Sequence, residues 1–240
     1  MNFPTNERGG WIISNNEIIP DGTRIPNYSE IGARCEIGEG CEIGEGCEIG
    51  ARCEIGEACD IGARCEIGEG CEIGARCEIG ARCEIGEACE IGEGCEIGEA
   101  CEIGEGCEIG ARCEIGARCE IGEACDIGAW CKIGARCKFG EGCKIGARCK
   151  FGEECKFGEG CKYRDVAFVK LFQIQNLDGS GRQCNVLVTT DKRCMIEAGC
   201  FFDNAKAFCK KATSEDKSIY ASVMTAIANA FLTTRTYEEK

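Results

Sequence analysis

Cysteine stands at every sixth position from Cys35 to Cys161, which accounts for 22 of the 26 cysteines in this 240-residue chain. The repeating unit reads Ile-Gly-x-x-Cys-Glu, as in Ile31-Gly32-Ala33-Arg34-Cys35-Glu36. Two degenerate hexads, starting at Ile19 and Ile25, precede it, so Ile19 to Lys162 holds 24 hexads. Cys and the following Ile are two residues apart with Glu between them. In extended backbone Cys and Ile therefore face one side and Glu the other. The Gly and its successor are turn material. A strand this short cannot bury an apolar face alone, so the chain must coil, stacking its turns as parallel strands around a shared core.

The unit of aliphatic residue, Gly, two variable positions, small residue and one more variable position resembles the hexapeptide-repeat family of left-handed parallel β-helices. Cys holds the small inward position. The resemblance implies an all-β left-handed parallel β-helix of triangular coils, each closing after three hexads. The 24 hexads then make about 8 coils and a rod of roughly 38 Å at one strand spacing per coil. Residues three hexads apart are stacked. One carboxylate column runs Glu36, Glu54, Glu72, Glu90, Glu108, Asp126, and the three columns change sign where Glu114 meets Lys132, Glu120 meets Lys138 and Asp126 meets Lys144. Residues 30 to 128 carry net charge −19 and residues 129 to 162 carry +4. Corner arginines two residues before many of the glutamates are expected to offset the repulsion along the columns. Arg and Gly exchange at the second corner position, so no positive φ is expected there. Trp130 is the one corner aromatic of the cysteine-bearing hexads, and the register places Arg112 and Arg148 one coil to either side, an expected cation–π sandwich.

Residues 1 to 18, with Phe3, Pro4, Trp11, Ile12 and Ile13, are expected to cap one end of the stack, since an unpaired coil edge invites aggregation. Towards the other end Ile gives way to Phe139, Phe151, Phe157 and Tyr163. Residues 163 to 240 read as a small α+β domain. It has a hairpin of Val166 to Leu177 and Gln183 to Thr190 around Asp178-Gly179-Ser180-Gly181, a third strand at Cys194 to Glu197, and helices at about 204–212 and 217–234. Its Thr190-Asp191 turn and Ile196-Glu197-Ala198-Gly199-Cys200 segment are similar to small modules of prophage-encoded proteins.

The chain has no histidine. The resemblance implies either acyltransferases with a catalytic histidine or γ-carbonic anhydrases with three zinc-binding histidines, and neither chemistry has its imidazole here. We therefore expect a non-catalytic structural or binding protein, with no cofactor and no catalytic residue. Its C-terminal module would serve oligomerisation or partner recognition. Net charge −14 argues against direct binding to nucleic acid or to anionic membrane, and points to a basic protein partner. The candidate binding residues are Glu36, Glu54, Glu72, Glu90, Glu108, Trp130, Arg112 and Arg148. An acidic decoy for a nucleic-acid-binding protein is a second reading. A third is a soft-metal store on the ladder of Cys35, Cys53, Cys71 and Cys89, since thiolates suit Cu(I); the plain alternative is that these thiols only pack the core. The family resemblance also implies a homo-trimer. The opening MNFPTNERGG lacks an apolar core like that of a leader peptide, so the expected location is the cytoplasm, with thiols reduced.

Overall fold

The computed structural model describes residues 3–175, 183–191, 193–198 and 201–214. The chain divides into two units, Met1–Asp165 and Val166–Lys240.

The first unit is a parallel β-solenoid. Its 26 two-residue strands, from Ile12–Ile13 to Lys162–Tyr163, form three ladders among the described residues. Every strand pairs in parallel with the strand three hexads away, as Glu66 with Glu84 and Ile67 with Ile85. The outward residue of each strand is Glu, Asp or Lys in all but the first coil, and the inward one is a buried Ile or aromatic in nearly every coil. Coiling starts inside the segment expected as a cap. Ile12–Ile13 already pairs with Glu30–Ile31, because the Ile13 hexad keeps the inward aliphatic position although it has no cysteine. The last coil strand ends at Tyr163, one residue beyond the expected boundary.

Two positions of the hexad are shaped by the coil beneath. A Cβ on Gly98 would lie 2.5 Å from the Ala81 nitrogen, and its equivalents in other coils meet backbone as closely. In the first coil, with no coil below it, that position holds Ser14, Pro20 and Pro26. The corner residue two places further on is left-handed in every hexad from Asn16 to Gly160, for example Arg34 at φ 59°, Ala124 at 54° and Trp130 at 67°. This corrects the expectation that Arg and Gly exchange there for want of a positive φ. That conformation costs each L residue about 1 kcal/mol. In return its N–H donates to a corner carbonyl of the next coil, as Arg34 to Ala51 at 3.0 Å. Ala124→Val adds β-branching at φ 54° and is expected to lower the unfolding free energy by about 1 to 2 kcal/mol in urea titration. Ala124→Gly should leave it unchanged or raise it.

The lower end is finished by Asn15, Asp21 and Asn27, one at each corner. Their Oδ1 atoms accept the N–H groups of Ala33, Glu39 and Glu45 at 2.9–3.0 Å. Below them, Thr5 bridges Trp11, the Phe3 and Trp11 rings lie 5.4 Å apart, and the Asn6 amide donates to the Tyr28 carbonyl at 2.7 Å. At the other end Phe139 stacks on Phe157 at 4.8 Å, with Phe151 edge-on to both, and buried Tyr163 accepts the Arg148 N–H at 2.9 Å.

The second unit is an antiparallel sheet of Val166–Gln175, Gln183–Thr189, Cys194–Ala198 and Phe201–Asn204, followed by helix Ala205–Ser214. The three expected strands are present. Phe201–Asn204 is a fourth, which falls partly where a helix was expected to start. Asn204 instead ends the strand and caps the helix, its Oδ1 accepting the Ala207 N–H at 3.0 Å. Phe208 and Ala212 of the helix pack on Cys184, Val186, Cys194 and Ile196. The expected turn at 178–181 and second helix at 217–234 lie outside the described residues.

Candidate functional site

The outward columns are built by the two-residue strand itself, since Ile must point inward and leaves its neighbour facing water. Glu36, Glu54, Glu72, Glu90 and Glu108 are stacked in register, all exposed. The three sign changes fall as the three-hexad period requires. Lys132 pairs with Glu114, Lys138 with Glu120, and Lys144 with Asp126 at 2.9 Å. The bond from Asp126 holds the Lys144 ammonium above its ordinary pKa.

The corner arginines with an ion pair among the described residues make it with another corner residue and not with the columns. Arg64 reaches Glu45 at 2.6 Å, and Arg76 and Arg112 reach Glu57 and Glu93, so each pairs with a corner glutamate of the coil below. Among the described residues, Glu36, Glu54, Glu72, Glu90 and Glu108 have no ion-pair partner, and their carboxylates face water at one strand spacing.

Trp130 is 52% exposed, with the Arg148 guanidinium 4.4 Å from its ring centroid. Only this half of the expected sandwich forms, because Arg112 is taken by Glu93. Each face of the solenoid is a shallow groove floored by the Ile and Gly of successive coils and edged by the charged column. Among the described residues no loop interrupts the ladders from Ile12 to Tyr163.

Inside, all the ladder thiols point the same way. Each Sγ donates to a carbonyl of the coil beneath at 3.1–3.3 Å, as Cys53 to Gly32, Cys95 to Gly74 and Cys161 to Gly140. The backbone bonds between coils use the carbonyls of Ile, Cys and the corner residue. The Gly carbonyl takes the thiol, so cysteine here is a small apolar residue that also satisfies a buried acceptor. Nothing in the hexad pattern alone pointed to this second role. The three Asx residues at the lower end were equally missed, although their regular spacing at 15, 21 and 27 is legible in the sequence. Burial pushes the Cys35 and Cys41 thiols up. Cys83, Cys95 and Cys113 are pushed up to about 11, first by the thiol stacked three hexads further on and then by burial. All cysteines among the described residues are free thiols. No group of three or more Cys, Asp or Glu side chains placed to hold a metal ion occurs among the described residues.

In the second unit Asn185 donates to the buried Glu197 at 2.9 Å, and burial raises the Cys194 thiol. No helix among the described residues is long and apolar enough to cross a membrane.

Residues 18–51 and 40–75 match the family described as bacterial transferase hexapeptide (six repeats), and residues 64–141 match the family described as GMPPB C-terminal domain. Comparison with curated proteins and with solved structures returns no match.

Proposed function

From the premise that the repeat region of this chain belongs to the hexapeptide-repeat β-helix superfamily, we propose that it uses the fold without catalysis, as a rigid rod that presents carboxylate columns to a basic protein. The observation that carries this reading is the register of Glu36, Glu54, Glu72, Glu90 and Glu108, which lie one strand spacing apart, exposed and without ion-pair partners among the described residues. Like charges at that spacing repel, so a column of them costs stability that a cationic partner would return. The absence of histidine supports the non-catalytic reading, because the transfer chemistry implied by the family resemblance needs an imidazole base. The exposed Trp130, with Arg148 against its face, is a further contact point beside the lysine coils. The second unit serves partner recognition or self-association, and the free thiols suit a reducing cytoplasm.

The probe is a poly-lysine peptide of defined length. The protein should bind it with a Kd that rises at least about tenfold between roughly 50 and 300 mM salt. Replacing Glu36, Glu54, Glu72, Glu90 and Glu108 by Gln together should weaken binding at low salt by a similar factor. Unchanged affinity in that variant, with its circular dichroism intact, would sink the reading.

A further inference from the structure

One face of the solenoid carries a row of charges that is its own complement when turned end for end. Glu96, Glu114, Lys132 and Lys150 are stacked in register on successive coils, about 4.8 Å apart, and all four are exposed. Two carboxylates are followed by two ammonium groups, so the same row running the opposite way presents two ammonium groups and then two carboxylates. Lys132 pairs with Glu114 in its own chain, whereas Glu96 and Lys150 have no ion-pair partner among the described residues. The exposed Trp130 stands at the corner that opens the strand Lys132–Ile133, beside the sign change. Arg148, one coil up, covers one face of its ring, and Arg112, one coil down, is taken by Glu93 and leaves the other face uncovered. The other two faces repeat the charge order. On one of them, however, Asp126 is half-buried, and among the described residues no exposed aromatic flanks the sign change on the other.

We propose that a second copy of the chain docks on this face, antiparallel, about a two-fold axis that crosses the row between Glu114 and Lys132. An isologous contact needs a self-complementary surface. Here Lys132 of either copy stands opposite the partner's Glu114, and Lys150 opposite the partner's Glu96. The spacing matches because both copies climb by the same coil height. A slip of one coil sets Lys132 against Lys132 or Glu114 against Glu114, and a parallel copy in register sets every charge against its like, so the register is fixed by repulsion. A two-fold across the row keeps each edge of the face on its own side. The two Trp130 rings therefore meet at one edge, close to the axis, where an aromatic anchor contributes most. The axis lies on the side of Trp130 away from Arg148, so the partner's indole comes to the ring face that Arg112 leaves uncovered. The acidic coils below Glu96 of the two copies run off in opposite directions. Four coils, about 14 Å between the outer strands, make a small contact of the transient class. Glu36 to Glu108 lie on another face, so the dimer leaves that column open to a basic protein.

The test is analytical ultracentrifugation of the reduced full-length chain at about 50 and about 500 mM salt. A monomer–dimer equilibrium is expected, with a Kd that rises at least about tenfold between the two conditions. Lys132→Glu with Lys150→Glu should leave the chain monomeric, and so should Glu96→Lys with Glu114→Lys. An equimolar mixture of these two variants should restore a dimer, because each then presents the complement of the other. Trp130→Ala should raise the Kd by about threefold to tenfold. A chain that stays monomeric up to about 1 mM at the lower salt overturns the proposal. So does a dimer of either charge-reversed variant alone, no dimer in their mixture, a Kd indifferent to salt, or open-ended chains in place of a closed dimer. The substituted side chains are exposed, and circular dichroism checks that the fold is kept. Should a variant fail to fold, the salt dependence and the stoichiometry of the unsubstituted protein decide it.

Discussion

Raising the pH from about 8 to about 11 is expected to unfold the solenoid in one steep transition, followed by far-UV circular dichroism and reversed on return to pH 8 under reducing conditions. The cause is the columns of buried thiols. The Cys83, Cys95 and Cys113 thiols have folded pKa values raised from 9.0 to about 11. At each of these three thiols the folded state holds its proton to higher pH than the unfolded chain does, so their contribution to stability falls as pH rises. Each thiol's contribution is complete below about 9 and is lost as the pH passes through about 11. A change from 9 to 11 corresponds to about 3 kcal/mol for a single thiol. The exposed pairs of the outward lysines with Glu114, Glu120 and Asp126 contribute little to the change. A fold that persists with intact dichroism at pH 11 would show that thiol burial does not govern its stability.

Gly98→Ala and Gly106→Ala, two identical chemical changes on neighbouring hexads, should differ by several-fold in effect. The Gly98 Cβ would stand 2.5 Å from the Ala81 nitrogen and 2.6 Å from the Gly80 carbonyl carbon, with no flexible side chain to yield. The two coils would have to separate, breaking the ladder on that face. We expect a loss of about 3 kcal/mol or more in urea titration. Gly106 has φ 69° and nothing within 4 Å of its would-be Cβ. Alanine there meets only the left-handed strain, about 1 kcal/mol, as Ala100 and Ala124 already do. Equal losses in the two variants would mean that close coil approach is not what holds Gly98.

The contrast between these glycines also marks how far the sequence could be read. The six-residue period was legible in the sequence and the closing of a coil after three hexads came from the family resemblance; together they placed the Lys132, Lys138 and Lys144 pairs correctly. The inward Cys and Ile, and the three expected strands of the second unit, followed from period two. Backbone conformation was hidden by the side chains that tolerate it. Arg, Ala and Trp at the corners disguise a left-handed position, because the inter-coil hydrogen bond compensates the strain that would normally select Gly. Arg112 was misplaced since register gives its height on the rod but not its direction, and Glu93 competes for it. Asp21 and Asn27 stood in hexads read as degenerate and Asn15 in the segment read as a cap; their role exists only where a coil edge has no backbone beneath it.

The three-hexad register gives insertions and deletions an angular meaning. One hexad turns the path of the chain by a third of a revolution, so adding a single Ile-Gly-x-x-Cys-Glu unit before Trp130 would carry the indole, Arg148 and each lysine row round to the next face. Three hexads restore the original azimuth and add only height, about 4.8 Å. Length and facing are thus written in the same unit, and a lineage of such chains can vary one while holding the other fixed by gaining or losing repeats in multiples of three.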